Sequence, residues 1–261
     1  MRQRIIYCFM ALFLIFSSPG CSLSSESPAP KVELTVSVPA SMGELLSQIA
    51  KQYEQSHPQV DIRLNVGSSG ALERQIEKGA PVDLFISAGK SEMEILSGKG
   101  LIQPETVRPF AGNQLVLIYP KTGSYPIHSL QELNTKEIKR ISIGQPDSVP
   151  AGRYASQSLK HVGLWQKIQP KLVLAKDVRQ VLTYVETNNV DAGIVYQTEA
   201  ISSNQVVIAQ YLDSSSHEPI QYLTGIVKST PRLQTARQFQ EYLFSQAAIS
   251  ILEKHGFLPQ T

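Results

Sequence analysis

Four short segments of this chain carry residue types that can hold an anion. They are Ala40-Ser41-Met42-Gly43, Gly67-Ser68-Ser69-Gly70-Ala71, Asp147-Ser148-Val149-Pro150-Ala151-Gly152 and Lys176-Asp177-Val178-Arg179. Each ends a strand or loop and opens a helical pattern. A helix start leaves backbone N–H groups without intrahelical partners, at the positive end of the helix dipole. Such groups bind anions without any charged side chain, and serine hydroxyls add further donors. Pro150 suits a first helical position, and Asp177 is a natural N-cap. The same residues serve equally well as ordinary helix caps. Spacing alone does not bring the four ends together.

Other chemistries find less support. Gly89-Lys90-Ser91 ends like a phosphate-binding loop, but Leu84 stands where the first glycine is required. Gly98-Lys99-Gly100 begins a dinucleotide-like pattern that lacks its third glycine. No HExxH, CxxC or GxSxG occurs. His57, His128, His161, His217 and His255 lie far apart, with no ligand spacing. No carboxylate pair is placed for acid–base work. The expectation is therefore a protein with no catalytic residues, no cofactor and no direct metal ligands. The remaining enzymatic alternative, a serine nucleophile, needs a base, and no histidine neighbours the serine segments in sequence.

The elements that must position these segments alternate along the chain. Val32, Leu34, Val36 and Val38 alternate with polar residues as a strand does. Leu45, Leu46, Ile49, Ala50 and Tyr53 then recur at helical spacing. Val60 to Val66 is a second alternating strand, followed by a short helix through Leu72 and Ile76. Strands are further expected at 84–86, 115–119, 141–144, 173–175, 192–196 and 220–227. One long closing helix is expected over 231–252. Strand–helix alternation of this kind favours parallel α/β architecture.

The chain has 261 residues, with 24 Lys+Arg against 22 Asp+Glu. Arg2 and Arg4 account for the whole excess, so residues 21–261 carry no net charge. Neutrality removes the electrostatic case for nucleic acid. An apolar content of 42% supports a folded core. Arg2 and Arg4 precede an uninterrupted apolar run from Ile5 to Phe16. That run is short for a membrane span and fits a cleavable export signal over 1–20. Cys21, after Gly20, resembles the lipidated cysteine of a bacterial lipobox, although Ser18 stands where leucine is usual. Residues 21–30 would then form a Ser/Pro-rich, lipid-anchored tether on an exported protein. Without Cys8 in the signal, the folded part holds no thiol, which suits export without disulfides.

Read in order, the stretches VPASMGELLSQIAKQYE, VGSSGALERQIEKGAPVDLFISA, GNQLVLIYPK, IGQPDSVPAGRYASQSL, KDVRQVLTYVE, DAGIVYQTEA and HGF resemble the molybdate-binding proteins of bacterial ABC transporters. The resemblance runs from about residue 35 to 258. It implies an α/β, two-lobed periplasmic-binding-protein fold of type II. Each lobe would be a mostly parallel sheet flanked by helices, with a hinge between lobes. Chain crossings near Asn113 and Gln221 would make lobe one 31–112 plus 222–261 and lobe two 113–221. The ligand implied is molybdate, with tungstate beside it, delivered by a monomeric receptor to a membrane permease. The ligand positions implied are Ser41, Ser69 (Ser68 in the alternative register), the N–H groups of Ala151 and Val178, and Tyr196. A fully deprotonated tetrahedral dianion only accepts hydrogen bonds, and these groups donate them. Phosphate's remaining proton would need an acceptor. Pro39, where relatives often carry a small residue, departs from the pattern, as does the lipid anchor. Sulfate is the alternative ligand, and a sensor or adhesion lipoprotein the alternative role.

Overall fold

The computed structural model describes residues 31–260. The expected signal segment, Cys21 and the tether lie outside the described residues. Two sheets organise the chain. The first begins with β1 (Val32–Pro39), helix α1 (Gly43–Ser56), β2 (Val60–Gly67), α2 (Ser69–Glu77), β3 (Leu84–Ser87), α3 (Lys90–Gly98) and β4 (Arg108–Gly112). The second takes β5 (Leu115–Pro120), β6 (Ile141–Gly144), α4 (Pro150–His161), α5 (Trp165–Ile168), β7 (Leu172–Ala175), α6 (Val178–Glu186), β8 (Ala192–Tyr196), α7 (Gln197–Ile201) and β9 (Val206–Tyr211). The chain then returns through β10 (Gln221–Ile226), α8 (Leu233–Leu243), α9 (Gln246–Lys254) and β11 (Leu258–Pro259). The sheet orders are β11-β4-β10-β3-β1-β2 and β7-β6-β8-β5-β9.

Hydrophobic period sets the packing. Leu34, Val36 and Val38 turn one face of β1 toward Leu45, Leu46, Ile49 and Tyr53 of α1, and all of them are buried. In the second sheet, Val181, Leu182 and Val185 of α6 pack with Ile141, Ile143 and Ile194 in the same core.

Three sequence expectations need correction. The sheets are mixed rather than mostly parallel. β2-β1-β3 and β7-β6-β8 are parallel, but β10 runs antiparallel to β3 and β4, and β5 antiparallel to β8 and β9. Connectivity explains the reversal. A strand that enters a sheet from the other lobe starts at the shared edge. It therefore runs against the strands whose C-terminal ends face that edge. The single closing helix is two helices, because the Ser245 side chain accepts from the Ala248 N–H and restarts the helix after Phe244. Strands β4 and β9 were not expected. Pro109 interrupts the pattern of β4, and β9 is a half-buried edge without clean alternation.

Candidate functional site

The C-terminal ends of β1, β2, β6, β7 and β8 open toward one place, between the two sheets. In open α/β sheets this is the edge where ligands bind. A small cleft lies there. Ser41, Ser69, Ala151, Val178 and Tyr196 all line it, together with Ser68, Ala88 and Asp177. The four segments that were ambiguous as separate caps thus converge. Ser41 sits in the one-turn 3-10 segment Ala40–Met42 after β1. Ser69 is the first residue of α2 and Val178 the first of α6. Ala151 follows Pro150 at the start of α4. Among the described residues, the N–H groups of Ser41, Ser69, Ala151 and Val178 have no hydrogen-bond acceptor, as helix-start geometry dictates.

The contacts of Ser69 and Tyr196 leave each hydroxyl able to donate into the cleft. The Ser69 oxygen accepts from the Ala88 N–H at 3.0 Å, so its own hydrogen is left for the cleft. The Ser41 hydroxyl lies 3.0 Å from the Tyr222 hydroxyl. The Tyr196 hydroxyl reaches the Ala88 carbonyl only at 3.5 Å, the outer limit of a hydrogen bond. That long contact leaves the phenol proton available to a better acceptor. Burial pushes the Tyr196 phenol well above its ordinary value of 10.0, with Tyr222 nearby acting in the same direction. It therefore stays protonated as a donor throughout the neutral range.

The cleft carries no cationic side chain in its lining. The two guanidinium groups nearby are already committed. Arg153 makes a bidentate pair with Glu92, at 2.9 and 3.0 Å. Arg179 pairs with buried Glu199 at 3.1 Å, and burial raises the Glu199 carboxyl above its usual range. The one carboxylate in the lining, Asp177, accepts from the Gln180 N–H as the cap of α6. What faces the cleft is a set of neutral donors and helix-start dipoles. None of the five histidines lines it. Among the described residues no cluster of three or more His, Cys, Asp or Glu is placed to hold a metal ion.

Besides the long Tyr196–Ala88 contact, two shorter ones bridge the cleft among the described residues. The Gly70 N–H donates to the Ser148 carbonyl at 3.0 Å. A side-chain carbon at Gly70 would lie 2.8 Å from the Ser148 backbone, so only glycine permits this approach. The second bridge is the Glu92–Arg153 pair, joining α3 to α4. A side-chain carbon at Gly89 would sit 2.6 Å from the Glu92 carboxylate and 2.7 Å from the Arg153 guanidinium. Sequence reasoning missed Glu92, Arg153 and Tyr222. Their partners are 61 and 181 positions away, so no local pattern marks them.

Comparisons with known proteins point to one family. The family model for bacterial extracellular solute-binding proteins matches residues 34–258. YvgL of Bacillus subtilis (strain 168), provisionally named an ABC transporter substrate-binding lipoprotein, is 43% identical over 256 residues, covering 98% of each chain. The molybdate-binding protein ModA of Haemophilus influenzae is 38% identical over 232 residues, covering 88% of this chain and 91% of the relative. Among solved structures, the periplasmic molybdate-binding protein of Azotobacter vinelandii superposes with a TM-score of 0.78 at 26% identity. That match covers 87% of this chain and all of the other.

Proposed function

The chain belongs to the bacterial extracellular solute-binding proteins, and from that premise we propose that it is the molybdate receptor of an ABC importer, with tungstate as a second ligand. The observation that carries this reading is a cleft lined by hydroxyl and helix-start N–H donors, whose one carboxylate, Asp177, is engaged as the cap of α6. Four helix-start N–H groups and three hydroxyls face one small volume, with no free cation beside them. A dianion that only accepts hydrogen bonds fits such a set. The hydroxyls of Ser41, Ser69 and Tyr196 and the N–H groups of Ser41, Ser69, Ala151 and Val178 are the proposed donors. Each charge-assisted bond contributes roughly 1.5–3 kcal/mol, so several together offset dehydration of the anion.

In this reading the lobes are residues 31–112 with 222–261, and residues 113–221. Ligand binding stabilises the form in which Gly70 meets Ser148 and Glu92 meets Arg153. The closed surface is then what the membrane permease reads. The protein acts as a monomer outside the cytoplasm, after loss of residues 1–20 and lipidation of Cys21. The relative named as a lipoprotein supports that attachment. Among the described residues no helix is long and apolar enough to cross a membrane.

Isothermal titration with molybdate, tungstate, sulfate and phosphate tests the reading. Saturable binding of the two metal oxyanions, at least 100-fold tighter than sulfate, is the expected result. Equal or tighter sulfate binding would reassign the ligand, and heat-silent titration with all four anions would remove the receptor function.

A further inference from the structure

A chain of partly buried hydrogen bonds runs from the point where the sheets exchange the chain to one of the proposed ligand serines. Asn113 lies between β4 and β5, and Tyr222 is the second residue of β10. The Asn113 side-chain carbonyl accepts from the Gln114 N–H at 2.8 Å, which fixes its amide orientation. Its NH2 group then donates to Thr198 Oγ1 at 2.9 Å and to the Tyr222 hydroxyl at 3.5 Å. Tyr222 is fully buried. Among the described residues its hydroxyl has two neighbours within hydrogen-bond reach, Asn113 Nδ2 and Ser41 Oγ. Nδ2 only donates, so the single acceptor for the Tyr222 proton is Ser41 Oγ. The opposite polarity would leave a buried phenol proton unpaired, which is penalised. Tyr222 therefore donates to Ser41, and the Ser41 proton is turned into the cleft.

We propose that Tyr222 is a positioning and specificity-determining residue, which holds Ser41 as a hydrogen-bond donor toward a fully deprotonated oxyanion. The inference rests on the receptor reading and deepens it. By occupying one lone pair of Ser41 Oγ, Tyr222 also hinders that oxygen from accepting a proton from the ligand. A monohydrogen oxyanion such as hydrogen phosphate needs such an acceptor. Tyr222 thus acts against it without touching it.

The test is a double-mutant cycle on the full protein with Tyr222→Phe and Ser41→Ala, titrated with molybdate and, in competition, with phosphate at pH 7.5. Phenylalanine keeps the ring that packs against Tyr196 and Phe257. Tyr222→Phe is expected to weaken molybdate binding roughly three- to tenfold and to narrow the molybdate-over-phosphate preference. In the Ser41→Ala background it is expected to change molybdate affinity by less than about twofold, because the two residues act as one unit. Additive losses, or an unchanged preference in Tyr222→Phe, would overturn the proposal. Should Tyr222→Phe fold poorly, Asn113→Ala removes the donor behind Tyr222. It is expected to show the same direction and the same non-additivity with Ser41→Ala, and additive losses there would again overturn the proposal. Failure of the unmodified protein to bind molybdate would instead overturn the receptor reading, and this inference with it.

Discussion

Replacing Glu92 by Gln tests whether closure across the cleft contributes to ligand affinity. The Glu92 side chain is 4% exposed and that of Arg153 23%, so the pair is far from a solvated surface bridge. Both carboxylate oxygens are used, at 2.9 and 3.0 Å. Glutamine keeps one acceptor, loses the charge, and turns an NH2 donor toward a guanidinium donor. In the closed form this removes one charge-assisted bond, about 1.5–3 kcal/mol. The opened form that the receptor reading requires separates the two groups into water, where the change is expected to cost little. The whole loss therefore falls on the closed, ligand-bound state, weakening binding roughly 10- to 150-fold. Stopped-flow dissociation and calorimetry would measure it, and the effect should lie mainly in a faster off-rate. The denaturant midpoint of the ligand-free protein should hardly move. Affinity within about twofold of the unmodified protein would exclude a role of the pair in closure, as would a loss matched by an equal drop in ligand-free stability.

Three further outcomes follow from the same geometry. Ser69→Ala removes a hydroxyl donor and leaves the buried Ala88 N–H unpaired; oxyanion affinity should fall about tenfold or more by calorimetry, with only about 1–3 kcal/mol lost in a chemical denaturation curve. Gly70→Ala places a methyl group 2.8 Å from the Ser148 backbone; binding should be severely weakened, while the ligand-free protein stays as stable or gains up to about 1 kcal/mol from helix propensity. Burial raises the phenols of Tyr196 and Tyr222, and pushes that of Tyr154 up to about 12, from the ordinary 10.0. The neutral phenol is the form the fold favours, so its stabilisation is complete below pH 10 and is lost progressively as pH rises above it, for Tyr154 by about pH 12. Oxyanion affinity should accordingly stay flat from pH 7 to about 9.5, and stability should fall above about pH 10. Titrations and melts across that range check both.

The legible parts of the sequence were those with a local period or a local cap. Val36 and Val38 alternate because one face of β1 packs into the apolar core with α1, and Leu45, Leu46 and Ile49 recur because one face of α1 meets it there. Ser69, Pro150 and Asp177 announced helix starts, and those starts do meet at one cleft. The convergence itself was not legible from spacing. It depends on which strand ends share an edge, and only the family resemblance pointed there. The long-range polar contacts were invisible for the same reason. Ser41 gives no hint of Tyr222, nor Glu92 of Arg153, because neither pair shares a helix turn or a strand register. Strand β4 was hidden by Pro109, and the break at Ser245 by a helical pattern that continues through it.

A crystal grown with tungstate and measured at a tungsten absorption edge would locate the bound anion directly. One strong anomalous peak is expected in the cleft. Its oxygens should lie within hydrogen-bond distance of the Ser41, Ser69 and Tyr196 hydroxyls and of the Ala151 and Val178 N–H groups. A peak elsewhere, or none in crystals that diffract well at saturating tungstate, would contradict the proposed site.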